Sequence, residues 1–258
     1  MKKGEKYEKP YLNDVIFRVD FSNLLRLSGN NKEAAEDFRK VIFEQFPNVN
    51  FKFNNEISMD FDLSSGDPKQ FTKDGNIIWI FSSEDSKRTA ELSATFLTLH
   101  YKKGAYTHFR NFLRDVILII EALRIYSPIN LKYLGLRYIN QITNKNLDEL
   151  KLSINPTLFN NNIFDLDDNE EFIQIFTKFN IKKEDYILTI QYGVFNAGFP
   201  RPDFNKDYIL DYDCRLNNIK SLEDIPNELK KMNKFIAQKY EESITDYLRE
   251  NMGGVKYE

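Results

Sequence analysis

The chain has 258 residues, 41% hydrophobic and 29% charged, with ten glycines, eight prolines and one cysteine. These figures exclude a collagen, a disulfide scaffold and a disordered tail, and the length suits one large domain or two small ones. A net charge of −3, from 36 basic and 39 acidic residues, argues against broad charge-driven binding to a nucleic-acid backbone.

The opening Met1 to Lys9 carries lysines with no apolar run behind it, and no later stretch approaches the roughly 20 apolar residues that span a bilayer. The expectation is a soluble cytoplasmic protein with no membrane partner. Val15, Phe17, Val19 and Phe21 alternate with Asp14, Ile16, Arg18 and Asp20, which predicts a strand with one apolar face. From Asn31 to Phe46, Ala34, Phe38, Val41 and Ile42 share one helical stripe that Pro47 ends. Met59, Phe61 and Leu63 alternate with Asp60, Asp62 and Ser64, and Ile77 to Ser83 and Leu92 to Tyr101 each read as one strand of an antiparallel meander.

Tyr106, Phe109, Leu113, Val116, Ile120 and Leu123 recur at three- and four-residue steps, which predicts a long helix from Ala105 to Tyr126, stopped by Pro128. Leu131 to Thr143 follows as a strand. An asparagine-rich passage from Asn144 to Asn162 and an acidic one from Asp165 to Glu171 interrupt the pattern, the latter read either as a solvated loop or as first-turn acids ahead of a helix from about Glu170 to Lys178. Strands Tyr186 to Phe195 and Tyr208 to Arg215 flank a loop holding Gly198, Pro200 and Pro202. A last helix starts near Pro226 and runs through Leu229, Met232, Ile236, Tyr240, Ile244 and Leu248 to Gly253.

Each half thus ends a meander with a long amphipathic helix. The fold class expected is α+β, an antiparallel sheet with long helices on one face, in two similar halves at 1–144 and 145–258 that form one compact domain. With 22 Phe and 14 Tyr, such a chain builds a substantial core.

Cys214, standing alone, closes no intramolecular disulfide and supplies no multi-thiolate metal site, which fits a reducing compartment. His100 and His108 match no metalloprotease or phosphoesterase spacing, and no GxSxG, GxxxxGK[ST] or GxGxxG occurs. Asp165, Asp167 and Asn169 resemble the start of a calcium loop, but Glu170 replaces the turn glycine and Phe176 the bidentate glutamate.

Asp60 with Asp62, and Asp211 with Asp213, stand two apart on strands, so each pair shares a sheet face. Such pairs bridge divalent ions in phosphoryl chemistry, so Mg or Mn is the cofactor of this alternative; otherwise no cofactor is expected. Arg18, Arg137 and Arg215 are the cations available to pair with these acids instead. Lys102, Lys103, His108, Arg110 and Arg114 beside Tyr101, Tyr106 and Phe109 make a small basic and aromatic cluster, a possible but disfavoured nucleic-acid site.

The most specific string is Leu134-Gly135-Leu136-Arg137-Tyr138-Ile139-Asn140-Gln141-Ile142. A glycine inside a strand marks a bulge or close approach, and Asn140 falls on the apolar face, where its amide must find partners. Arg137, Tyr138, Asn140, Gln141 and Arg18 are the candidate binding residues. GLRYIN after a long helix, the opening Tyr11-Leu12-Asn13-Asp14-Val15-Ile16-Phe17-Arg18 after Pro10, and the ending Tyr240-Glu241-Glu242-Ser243-Ile244-Thr245-Asp246-Tyr247-Leu248-Arg249 resemble a sporadically distributed, uncharacterised family of prokaryotic proteins. Leu12 and Asn13 stand where that family usually has a second proline and an acidic residue. The resemblance implies accessory or antiviral-defence work associated with mobile elements, and carries no catalytic residue.

In the ending string, Glu241 is placed to pair with Thr245, and Glu242 and Asp246 to reach Arg249. Large aromatic surface, mixed charge and the absence of a nucleophile with a base lead to the expectation of a non-enzymatic binding or adaptor protein. It would engage a protein partner or itself, with a metal-dependent enzyme acting on nucleotides or nucleic acid as the alternative.

Overall fold

The computed structural model describes residues 7–28, 31–53, 56–61, 68–73, 77–143, 147–159, 174–196, 207–217 and 219–253, with the side chains of 56–61, 68–73, 147, 148 and 159 excepted. In chain order the elements are β1 (Leu12–Phe21), α1 (Lys32–Ile42), β2 (Asn48–Phe53), β3 (Glu56–Phe61), β4 (Pro68–Lys73), β5 (Ile77–Ser82), β6 (Arg88–Leu92), β7 (Phe96–Tyr101) and α2 (Phe109–Leu123). They continue with β8 (Leu131–Ile142), α3 (Leu147–Ser153), α4 (Pro156–Phe159), β9 (Ile175–Lys183), β10 (Tyr186–Phe195), β11 (Asp207–Asn217), α5 (Ile225–Ser243) and α6 (Asp246–Asn251). The fold is α+β. Nine strands form an antiparallel sheet in the order β2-β5-β6-β7-β1-β8-β11-β10-β9, and β3 pairs with β4 in a separate ladder.

Two compact units share the chain: Met1–Val15, Gly135–Leu216 and Asn227–Glu258 form one, Ile16–Leu134 and Asn217–Pro226 the other. Neither is continuous in sequence, and the GLRYIN strand belongs to the same unit as most of α5.

In the unit that holds Ile16–Leu134, β1 carries Phe17, Val19 and Phe21 into the core while Arg18 is exposed, as the alternation requires. Phe81, Ala90 and Leu99 stand in one register row across β5, β6 and β7, all fully buried. α1 packs on that face, with the Phe38 and Phe81 rings 5.3 Å apart. The Asn31 side chain caps α1 by accepting from the Ala34 amide, so the helix starts where the stripe begins.

α2 buries Phe112, Val116, Ile119 and Leu123, and among them the carboxylate of Asp115, 1% exposed. Asp115 Oδ2 accepts from Arg88 Nη1 at 2.7 Å and from the Tyr101 hydroxyl at 2.6 Å, which compensates the buried charge and fastens α2 to β6 and β7.

Two sequence expectations change here. The stretch expected as one strand, Leu92 to Tyr101, is two strands: the Ser93 amide donates to the Phe96 carbonyl at 2.9 Å and closes a hairpin. The long helix begins at Phe109, not Ala105, because Gly104 turns the chain with φ +81° and His108 is extended. β2 and the Arg88–Glu91 part of β6 have no counterpart in the sequence pattern.

In the other unit α5 lies on the apolar face of β8, β11, β10 and β9. The Tyr138 hydroxyl donates to Asn233 Oδ1 at 2.8 Å, that of Tyr186 to Glu228, and the Tyr212 and Tyr240 rings meet edge to face at 6.1 Å. Leu188, Leu210, Tyr212 and Cys214 are fully buried beneath it. The helix alternative over 170–178 gives way to strand at Ile175, where β9 pairs with β10 along its whole length; 170–173 lie outside the described residues.

The helix expected to run unbroken to Gly253 stops at Ser243 and restarts at Asp246. A matching break follows α3, and the two are bridged between Ile154 and Ile244.

Candidate functional site

The face of β8, β11, β10 and β9 that looks away from α5 carries the charged candidates. Antiparallel register places Asp211 opposite Gln191 and Gln191 opposite Lys178, with Asp213, Thr189 and Asn180 in the next row and Arg215, Ile187 and Lys182 beyond. Most of these side chains are half-buried or exposed, so within this unit the sheet presents one sealed face and one open one.

Arg137, from GLRYIN, meets this array from β8. Its Nε donates to Asp211 Oδ1 at 2.8 Å and its Nη2 to Asp211 Oδ2 at 2.6 Å, a two-pronged pair that locks both planes. The Asp211 side chain is 10% exposed and that of Arg137 43%, so the acid is sunk in the sheet while the cation reaches water. The hydrogen bonds to Asp211 hold Arg137 above the usual guanidinium range against the opposing cost of burial, and Asp213 and Asp14 add attraction.

Gln141, two pleats along, donates from Nε2 to Asp207 Oδ2 at 2.6 Å. Arg215 reaches back along its own strand to Asp213, with Nη2 at 2.6 Å. At the far end the face turns apolar, where Ile209, Gly193 and Phe176 share a row and the Phe176 and Phe195 rings lie 6.0 Å apart.

The five candidate binding residues therefore separate. Arg137 and Gln141 stand on the open face. Tyr138 and Asn140 point the other way, 7% and 6% exposed under α5. The expectation that Asn140 finds a partner holds: its Nδ2 donates to the Leu210 carbonyl at 3.3 Å. Arg18 belongs to the other unit, paired with Asp20 at 2.6 Å and stacked 4.4 Å above the Phe96 ring.

Of the candidate metal ligands, Asp211 and Asp213 do share a face, and each already holds a guanidinium. A divalent ion there would have to displace Arg137 from Asp211 and compete with Arg215 at Asp213. Among the described residues no group of three or more His, Cys, Asp or Glu is arranged to hold a metal. Asp60 stands on β3 opposite Lys69, in the separate ladder, while its side chain and all of Asp62 lie outside the described residues. The calcium-like stretch at Asp165 to Asn169 and the loop of Gly198, Pro200 and Pro202 lie outside them as well.

The basic and aromatic cluster loses Tyr101, whose hydroxyl is committed to Asp115. Lys102, Lys103, His108, Arg110 and Arg114 are exposed.

Lys178, Gln191 and Asp207 complete the open face without having been singled out in the sequence. Their alternation within β9, β10 and β11 is the signal that points to them, once the strands are paired. No protein-family model matches the chain, and no curated protein does.

Proposed function

We propose that the chain is a non-enzymatic binding or adaptor protein that engages a protein partner through the open face built around Arg137. The observation that carries this reading is the two-pronged Arg137–Asp211 pair, with the cation 43% exposed and the acid 10% exposed. Such a pair fixes an arginine plane in place before any partner arrives, which lowers the ordering cost of recognition. Ile209, Phe176 and Phe195 supply an apolar end to the same face, the mixture that protein interfaces use. Asp211 and Asp213 are each engaged by an arginine, which at this pair favours recognition over metal-dependent chemistry. An accessory place in a mobile-element or antiviral defence system is the setting we attach to this binding, and it rests on the resemblance of the GLRYIN and SIT strings alone.

The reading of two similar halves draws support from element order only if the boundary moves from 144 to a point ahead of β8, so that the GLRYIN strand opens the second half and does not close the first. Strand, helix, meander and long helix describe β1, α1, β5 to β7 and α2, and again β8, α3, β9 to β11 and α5. In both series the last meander strand lies beside the first strand.

The test is purification of the tagged chain, of Arg137→Glu and of Ile209→Glu from a prokaryotic lysate, read by mass spectrometry. We expect a stoichiometric protein held by the wild type and lost from both variants at unchanged circular dichroism. Failure to retain any stoichiometric protein, or its retention by both variants, rejects the reading.

A further inference from the structure

The two edges of the nine-stranded sheet are unlike. β9 displays Lys178, Lys182 and Lys183, all exposed, the kind of edge that discourages pairing with another chain. β2 has one lysine, and Lys52 Nζ is drawn back to Glu91 of the same chain at 2.7 Å. All six residues of β2 are exposed, with Val49 at 47%, Phe51 at 48% and Phe53 at 58%. These three stand opposite Phe81, Trp79 and Ile77 of β5, which are buried on the face that α1 covers. The apolar face thus runs one strand past its cover.

Backbone geometry selects the same three residues. The Phe51 amide donates to Asn50 Oδ1 at 2.8 Å, so it points off the sheet and not toward β5. In an antiparallel strand alternate residues direct amide and carbonyl to the same neighbour, so Val49, Phe51 and Phe53 hold the outward groups.

We infer that β2 pairs with β2 of a second copy, antiparallel and two-fold, with Phe51 opposite Phe51 and Val49 opposite Phe53. A two-fold axis normal to the sheet keeps the aromatic row on one face and Asn48, Asn50 and Lys52 on the other. Each Lys52 then faces Asn50 of the other copy, and its charge is already answered by its own Glu91, so like charges do not meet across the seam. Asn50 acts as a stand-in acceptor that occupies the Phe51 amide until the second strand arrives. A self-paired strand satisfies the outward groups of both copies at once and covers six apolar side chains.

Sedimentation velocity on the full chain from about 1 to about 100 µM tests this, because a dimer responds to concentration by mass action. The expected result is a shift from 30.6 kDa toward twice that mass in the wild type, and 30.6 kDa throughout for Phe51→Lys and for Val49→Pro. Val49→Pro removes an outward amide and spares the ladder to β5. In the wild type, hydrogen exchange at the Val49, Phe51 and Phe53 amides should slow as concentration rises. Wild type of single mass at the top concentration, or a dimer surviving in both variants, overturns the inference. Should either variant lose its circular dichroism, the other variant and the wild-type exchange decide.

Discussion

Ile154 and Ile244 form a single antiparallel bridge between two helix breaks that mirror each other. Ser153 and Ser243 each turn the hydroxyl back to the carbonyl four residues earlier, at Glu149 and Lys239, both at 2.7 Å. Asn155 and Thr245 then cap the helices that follow. The contacts are reciprocal: the Asn155 amide donates to the Ser243 carbonyl, and the Thr245 amide to that of Ser153. The SIT string of the C-terminus is therefore one half of a clamp whose other half is Ser153-Ile154-Asn155. The pairing expected between Glu241 and Thr245 does not form. Glu241 takes Arg249 and Tyr7 instead, and Glu242 pairs with Lys239, while Asp246 meets Arg249 as expected.

Thr245 does two things in that clamp, accepting from the Leu248 amide and donating to the Leu152 carbonyl. Thr245→Ala removes both and should cost about 1–2 kcal/mol in urea denaturation, the range of a lost helix cap with a partner left bare. Thr245→Ser keeps the oxygen and should stay within about 0.5 kcal/mol of wild type. Equal stability of the alanine and serine variants would show that the clamp carries no weight.

Arg137 and Arg215 offer a paired comparison on one face. Arg137→Ala strands a nearly buried Asp211 carboxylate and should destabilise by about 2–3 kcal/mol, below the range for a fully buried pair because the Arg137 side chain is 43% exposed. Arg215→Ala removes a more open contact to Asp213 and should cost about 0–1 kcal/mol. Adding Asp211→Ala to Arg137→Ala should recover part of the loss, since the orphaned charge goes too. Thermal denaturation of the four proteins reads all three statements.

Much of this architecture was legible because the strong elements are periodic. β8, β10 and α2 bury one residue face each, and their spacing says so directly. The elements that escaped are those whose surroundings mute the pattern. β9 is an edge strand whose lysines dilute its apolar alternation, and the Ser93 to Thr95 turn contains neither glycine nor proline to mark it. At the site, alternation alone separates Arg137 and Gln141 from Tyr138 and Asn140. That Arg137 finds Asp211, 74 positions away, depends on the pairing of β8 with β11, which no local spacing encodes.

Gly193 shows how tightly β9 and β10 are joined. Its φ of +146° is open to glycine and hostile to other residues, and a Cβ there would stand 1.9 Å from the Ile175 carbonyl oxygen. Gly193→Ala should cost about 2–3 kcal/mol and act on the edge first. Hydrogen exchange should quicken along Ile175–Lys183 with β11 unchanged. Uniform protection across the sheet in the variant would contradict this local account.

Cys214 connects the core to pH. Burial beneath α5 pushes its thiol up to about 12, whereas in an unfolded chain a thiol ionises near about 8.5. Below that lower value both states keep the proton and stability is complete. As pH rises from there toward 12, the unfolded state releases a proton that the folded state retains, so stability falls. Buried Tyr212 and Tyr240, raised by the same desolvation, push in the same direction at higher pH. The urea midpoint should therefore drop between pH 8 and pH 11 at roughly constant slope, and Cys214→Ala should flatten the early part of that fall while lowering stability at pH 7. At neutral pH a thiol reagent should label Cys214 only as fast as the structure opens, and become fast in urea. Rapid labelling of the folded protein at neutral pH, or an alkaline profile that Cys214→Ala leaves unchanged, would be incompatible with a thiol sealed in this core.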